Sequence, residues 1–183
     1  MTNFLVVTAM GVDRPGLVSK LARLASDCDC DIVDSRMALF GNEFTLIMML
    51  SGSWASITKI ESLLPSLSVE LELMTVMKRT SKHTPQNYLS RLEVRFTGKD
   101  QRGTMKSITQ FLADRSLDLA AVRSFSEELE NGEQTQTISL TINIPEKVEL
   151  EKLEKSIYQL SEEMALDCTI RRMEGTTSRN DRG

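Results

Sequence analysis

Histidine is almost missing from this chain. His83 is the single one among 183 residues. It lies in a polar stretch, so no Ser-His-Asp or Cys-His arrangement can be assembled for nucleophilic catalysis. Cysteine is scarce too, at Cys28, Cys30 and Cys168. An odd count with one C-x-C pair is not a disulfide framework. A structural zinc site, which wants four nitrogen or sulfur ligands, finds too few partners. Buried or half-buried free thiols are expected instead. Long hydrophobic runs are absent as well, and the longest stretches, such as FTLIMML from Phe44, fall far short of the roughly 20 residues a membrane span requires. No basic leader or small-residue cleavage site follows Met1, so no signal peptide is expected and the expected address is the cytoplasm.

Positive charge is also in short supply. Against 26 acidic residues stand 22 lysines and arginines, for a net charge of −4. The basic residues are scattered, with short clusters only at KRTSKH and IRR. Nucleic-acid binding relies on a basic face that neutralises phosphates. No helix-turn-helix, zinc finger or aromatic base-stacking motif is found either, so direct nucleic-acid contact is not expected. There is no P-loop, and the glycine pattern described below lacks the second-slot glycine of a dinucleotide fingerprint. The paired acids Glu127 and Glu128 sit before a turn, where solvation explains them. No catalytic residue, metal ligand or cofactor site is expected, and the chain does not read as an enzyme.

What the sequence does have is a soluble globular composition, 40% apolar and 26% charged, and an internal repeat. Asn3–Met10 is a short apolar, β-rich run that Gly11 is expected to end. Pro15 suits a first helical turn, with Asp13 or Arg14 at the cap. Leu17, Val18, Leu21, Leu24, Ala25 and Cys28 then form one apolar stripe. Asp31–Phe40 and the run from Phe44 flank Gly-Asn, a hairpin pattern. Trp54, Ile57, Ile60, Leu63 and Leu64 share a helical face that Pro65 is expected to stop. Leu67–Met77 alternates, with Val69, Leu71 and Leu73 on one side, and reads as a fourth strand.

After a polar linker the order recurs. A strand leads into a helix with Met105, Ile108, Phe111 and Leu112 inward. A hairpin follows around ENG. A helix opened by Pro145 carries Leu150, Leu153, Ile157, Leu160 and Met164, and a last strand ends near Met173. Shifted by 87 positions, Gly11, Asp13 and Gly16 fall on Gly98, Asp100 and Gly103. Leu21, Leu24, Asp31 and Arg36 fall on Ile108, Phe111, Asp118 and Arg123. The expected organisation is residues 1–79, a linker over 80–88, residues 89–173, and an unstructured tail over 174–183. Right-handed crossovers and hairpin adjacency then favour an α+β architecture. Each βαββαβ half would be ferredoxin-like, an antiparallel four-stranded sheet with two helices on one face. Open sheet edges and uncovered faces predict side-by-side repeats and self-association.

The G-x-D-x-x-G turn lies where a strand hands over to a helix, at the positive end of a helix dipole with unpaired amides. A small carboxylate can dock there, glycines permit close backbone approach, and the aspartate could meet an ammonium. Ordinary turn and cap chemistry explains the same residues.

At DRPGLVSKLA the sequence resembles the ACT domain, a small-molecule-sensing βαββαβ module whose strand-to-helix turn commonly reads D-R-P-G-L. The resemblance covers both halves. The second, DQRGTM, has Arg102 in place of the proline and Thr104 in place of the leucine. Expected to be a free-standing tandem with no catalytic domain attached, the chain is similar to the bacterial regulators of glycine cleavage genes within that family. The resemblance implies a repressor that senses a small amino acid, glycine, and acts through a DNA-binding activator of the LysR type. Carried over by position, its ligand residues would be Gly11, Val12, Asp13, Arg14, Pro15 and Gly16, with Gly98, Asp100 and Gly103 in the second half. Val12 or Leu17 would crowd the turn and exclude larger amino acids.

Overall fold

The computed structural model describes residues 1–82 and 90–174. The chain divides into two compact units, Met1–Thr84 and Pro85–Gly183. His83 and residues 175–183 of the expected tail lie outside the described residues, while Glu174, expected in that tail, ends the last strand.

The first unit runs β1 (Asn3–Val12), α1 (Leu17–Asp27), β2 (Asp31–Phe40), β3 (Glu43–Gly52), α2 (Trp54–Glu70) and β4 (Met74–Thr80). The second repeats it with β5 (Ser90–Lys99), α3 (Thr104–Asp114), β6 (Asp118–Glu128), β7 (Gln134–Ile144), α4 (Leu150–Glu163) and β8 (Asp167–Glu174). Strand orders are β2-β3-β1-β4 and β6-β7-β5-β8, all pairs antiparallel. Even the irregularities repeat. The β2 ladder slips between Ile32 and Asp34, and the β6 ladder between Leu119 and Ala121.

Alternate residues of the central strands face the helices and form one core per unit. In the first, Leu5, Val7, Leu46, Met48 and Leu50 meet Leu21, Ala25, Ile57 and Ile60. In the second, Leu92, Val94, Leu140 and Ile142 meet Ile108, Leu112, Leu153 and Ile157. This is the ferredoxin-like arrangement expected from the element order.

Several local expectations fail for physical reasons. β1 does not stop at Met10 but continues to Val12, because Gly11 and Val12 still pair with Phe44 and Glu43. α1 is capped by neither Asp13 nor Arg14. It starts at Leu17 behind Gly16, whose φ of 88° lies in the left-handed region. Pro65 does not end α2, which runs through it to Glu70. Ile57, Ile60, Leu64 and Ser68 are buried at helical spacing on both sides of the proline, so packing outweighs the lost backbone bond. The alternating residues from Leu67 are therefore helix up to Glu70. Val69, expected inward, is 80% exposed, and the strand is displaced to Met74–Thr80. Trp54 and Leu63 face outward rather than into the core, and the Arg79 guanidinium lies 3.9 Å over the Trp54 ring. Val18 is exposed as well. α4 begins at Leu150, not Pro145, which sits in a preceding turn where the Val148 amide donates to its carbonyl at 3.1 Å.

The four helices among the described residues end alike. Asp29, Glu72, Ser116 and Ala165 take positive φ, though none is glycine. The next residue's amide reaches back to the helix, Cys30 to the Ala25 carbonyl, Leu73 to Ser68, Leu117 to Leu112 and Leu166 to Ser161. This is a Schellman end with an apolar residue folded onto the core, and all four of those residues are buried.

Candidate functional site

The two G-x-D-x-x-G turns are superimposable in design. In the first, the Asp13 amide donates to the Asn42 carbonyl at 3.0 Å, tying the turn to the β2–β3 hairpin. In the second, the Asp100 amide donates to Gln134 at 2.9 Å in the same way. Gly16 and Gly103 then enter α1 and α3 with φ of 88° and 89°. Only glycine takes this conformation without a Cβ penalty. The first intrahelical bonds are Lys20 to Gly16 and Ser107 to Gly103, each 3.0 Å. No side chain caps either helix, so the amides of Leu17, Val18 and Ser19, and of Thr104, Met105 and Lys106, precede the ladder. α2 is different, for the Ser53 hydroxyl accepts from the Ser56 amide at 3.1 Å.

The leading glycines have another cause. A Cβ on Gly11 would stand 2.7 Å from Leu73 Cδ2 and 2.9 Å from the Glu72 carbonyl oxygen. On Gly98 it would stand 2.6 Å from Leu166 Cδ2 and 3.4 Å from the Ala165 oxygen. The Schellman leucine after the second helix packs against both positions, so a side chain there would meet the fold and not a ligand, backbone included at Gly11 and mainly the tip of Leu166 at Gly98.

Beside the first turn lies a shallow cavity of about 290 Å³ lined by Asp13, Arg14, Gly16, Leu17, Met37 and Phe44. Of the residues expected to bind a ligand, Asp13, Arg14 and Gly16 reach it, whereas Gly11, Val12 and Pro15 do not. Val12 is exposed and crowds nothing; Leu17, 2% exposed, does line the space. In the second unit Gly103 lines a cavity of about 620 Å³ that runs along α3 to Glu163 and Met164, while Gly98 and Asp100 lie outside it. Asp100 is engaged instead, its carboxylate accepting from the Ser126 hydroxyl at 3.2 Å.

Met37, Phe44 and Gln136 are not among the ligand residues expected from the sequence. Phe44 stands opposite Gly11 in the ladder and Gln136 opposite Gly98. The side-chain oxygen of Gln136 is buried with no hydrogen-bond partner among the described residues. Hairpin register would have revealed both, since the hairpin places them beneath the turn.

The thiols play no part here. Cys28 and Cys30 are buried and Cys168 half-buried, none in a disulfide. Burial raises all three, most at Cys168, from 9.0 to about 11. Among the described residues no group of three or more His, Cys, Asp or Glu side chains is placed to hold a metal ion, and no helix is long and apolar enough to cross a membrane.

Comparison with known proteins agrees with the fold described above. Residues 3–78 match the family model of the ACT domain. The chain is 36% identical over 169 residues to the glycine cleavage system transcriptional repressor of Escherichia coli K12, covering 92% of this chain and 89% of that protein. A crystal structure described by the name of the same repressor shares 33% identity, with a TM-score of 0.73 over 96% of this chain and 99% of that one. A protein of Galdieria sulphuraria shows the same fold at 19% identity, with a TM-score of 0.75 over 94% of this chain and 99% of that one. The Escherichia coli relative, and one of the same name from Shigella flexneri, are named as transcriptional repressors, not enzymes. The chain belongs to the ACT-domain family of the glycine cleavage system transcriptional repressor, as a tandem of two such domains.

Proposed function

We propose that this regulator senses glycine at its strand-to-helix turns and represses glycine cleavage genes by binding a LysR-type activator, without touching DNA itself. One observation carries the reading. The left-handed Gly16 leaves the first amides of α1 without a side-chain cap, beside a small cavity that also presents Asp13. The amides and helix dipole suit a carboxylate, and Asp13 suits an ammonium. Leu17 narrows the space, which favours an amino acid with no side chain. In the second unit the acceptor would be the orphan oxygen of Gln136, because Asp100 is held by Ser126. The resemblance in sequence supports the regulatory half of the reading, and the net charge of −4 suits an indirect route to DNA. The protein is proposed to act in the cytoplasm as a homo-oligomer.

Isothermal titration with glycine, alanine and serine tests this. Glycine should bind more tightly than the other two, and equal heats for all three, or none, would sink it. A second reading, an ACT-type assembly module for a different partner or enzyme, is favoured by the exposed Met10, Ile47, Met74 and Val76 on the first sheet. That reading expects a melting temperature indifferent to every amino acid, because only a ligand that binds the folded state raises it.

A further inference from the structure

The second unit's sheet has a helix-free face whose charges neither the fold nor the turn explains. Strand register sets them in rows. Thr169, Arg95, Ser139 and Arg123 lie side by side, and next to them Arg171, Glu93, Thr141 and Ala121. These residues line a concavity of about 520 Å³. Glu93 is spent on Arg171, whose Nε lies 3.2 Å away. Arg91 is also occupied, donating to Asn143 Oδ1 at 2.9 Å, while Asn143 donates to Asp118 at 3.1 Å. Arg95 and Arg123 remain, both exposed, and neither forms an ion pair with another described residue. The Phe125 ring lies 5.1 Å from the Arg123 guanidinium and steadies it.

The fold does not call for this. In the first unit Arg123 and Arg171 have the counterparts Arg36 and Lys78, but the positions equivalent to Glu93, Arg95, Ser139, Thr141 and Thr169 are Val6, Thr8, Ile47, Met49 and Val76, so the pairing of Arg123 with Arg95 is peculiar to the second unit. In an acidic chain, two unpaired arginines over hydroxyl-bearing neighbours form a local site for anions. Arginine forks match carboxylates in two-point fashion. Two strand spacings separate the pair by about 10 Å, roughly the reach of three residues along an extended peptide. A nucleic acid would need a far longer basic track than two free cations.

We infer that the open face of the second sheet docks an acidic segment of a partner protein, gripped between Arg95 and Arg123. This deepens the regulatory reading above and rests on it for the existence of a protein partner. The test is fluorescence anisotropy of the full chain with a labelled peptide of alternating glutamate and serine at low salt. The wild type should bind, added salt should weaken binding, and R95E/R123E should weaken it about tenfold or more. K155E, on the helical side of the same unit, should leave it unchanged. If R95E/R123E proves unfolded by circular dichroism, R95Q/R123Q gives the same readout. Failure of the wild type to bind, equal binding by the arginine variant, or displacement of the peptide by duplex DNA or inorganic phosphate at matched charge would overturn the proposal. Glycine titrations run in parallel separate the two readings. Peptide binding without a glycine response removes the sensing role and leaves the surface, and the opposite result removes the surface alone.

Discussion

The two units share a fold, a strand order, a ladder slip and a turn, yet their open sheet faces have opposite character. The first presents Phe4, Val6, Ile47, Met49, Met74 and Val76, with Met74 71% and Val76 68% exposed. The second presents Arg91, Glu93, Ser139, Thr141, Asp167 and Thr169 at the corresponding rows. The helix-facing sides remain apolar in both. Folding needs one buried face per sheet, so the other face is free to diverge, and here it has diverged toward apolar contact in one unit and charge pairing in the other. Beneath the turns the contrast runs deeper, with Phe44 in one unit and Gln136 in the other.

Substituting those two residues should break the comparison most strongly. Phe44→Gln removes a buried ring and strands an amide, at an expected cost of about 3–5 kcal/mol in urea unfolding. Gln136→Leu should instead stabilise by about 1 kcal/mol, because the orphan oxygen disappears, and it should abolish any ligand response of the second unit. Destabilisation by Gln136→Leu would show that the oxygen is satisfied after all.

The leading glycines come next. Gly11→Ala meets a backbone oxygen that cannot yield and should cost about 2–3 kcal/mol. Gly98→Ala meets mainly the tip of Leu166, which can turn aside, and should cost less than about 1 kcal/mol. Equal losses would mean that the two second-helix ends are packed alike. Gly16→Ala and Gly103→Ala should each cost about 1–2 kcal/mol, and by the same amount. Their φ values coincide and nothing stands near the added methyl.

The smallest effect concerns Cys168 in β8. Its thiol is raised to about 11 in the folded chain by burial. Below the ordinary thiol value of 9.0, folded and unfolded chains are both protonated and its contribution is fully present. Between 9.0 and about 11 only the unfolded chain ionises, so stability should decline across that window. Cys168→Ser should flatten this part of the pH profile, and an unchanged slope would assign it to other groups.

The element order and both hairpins were legible, because each relies on local periodicity and turn residues. Helix ends were not. Asp29, Glu72, Ser116 and Ala165 hold a left-handed conformation without glycine, sustained by the buried residue that follows each, so no composition change marks them. Pro65 misled for a related reason. Val69, Leu71 and Leu73 alternate like a strand, but over so short a window the two periods coincide, and only the burial of Leu64 and Ser68 decides for helix. Of the site, Asp13, Arg14, Gly16 and Gly103 were readable as turn chemistry. Phe44 and Gln136 come from strands far along the chain and emerge only once the strand register is fixed.

The sequence by itself determined the repeat, the alternation of strand and helix, and which face of each element is apolar, because these follow from near-neighbour spacing and turn chemistry. Tertiary structure alone decided what packs against Gly11 and Gly98, what lies under each turn, and which arginines are left unpaired. Those outcomes depend on ladder register and on packing between segments distant in sequence, which local patterns do not encode.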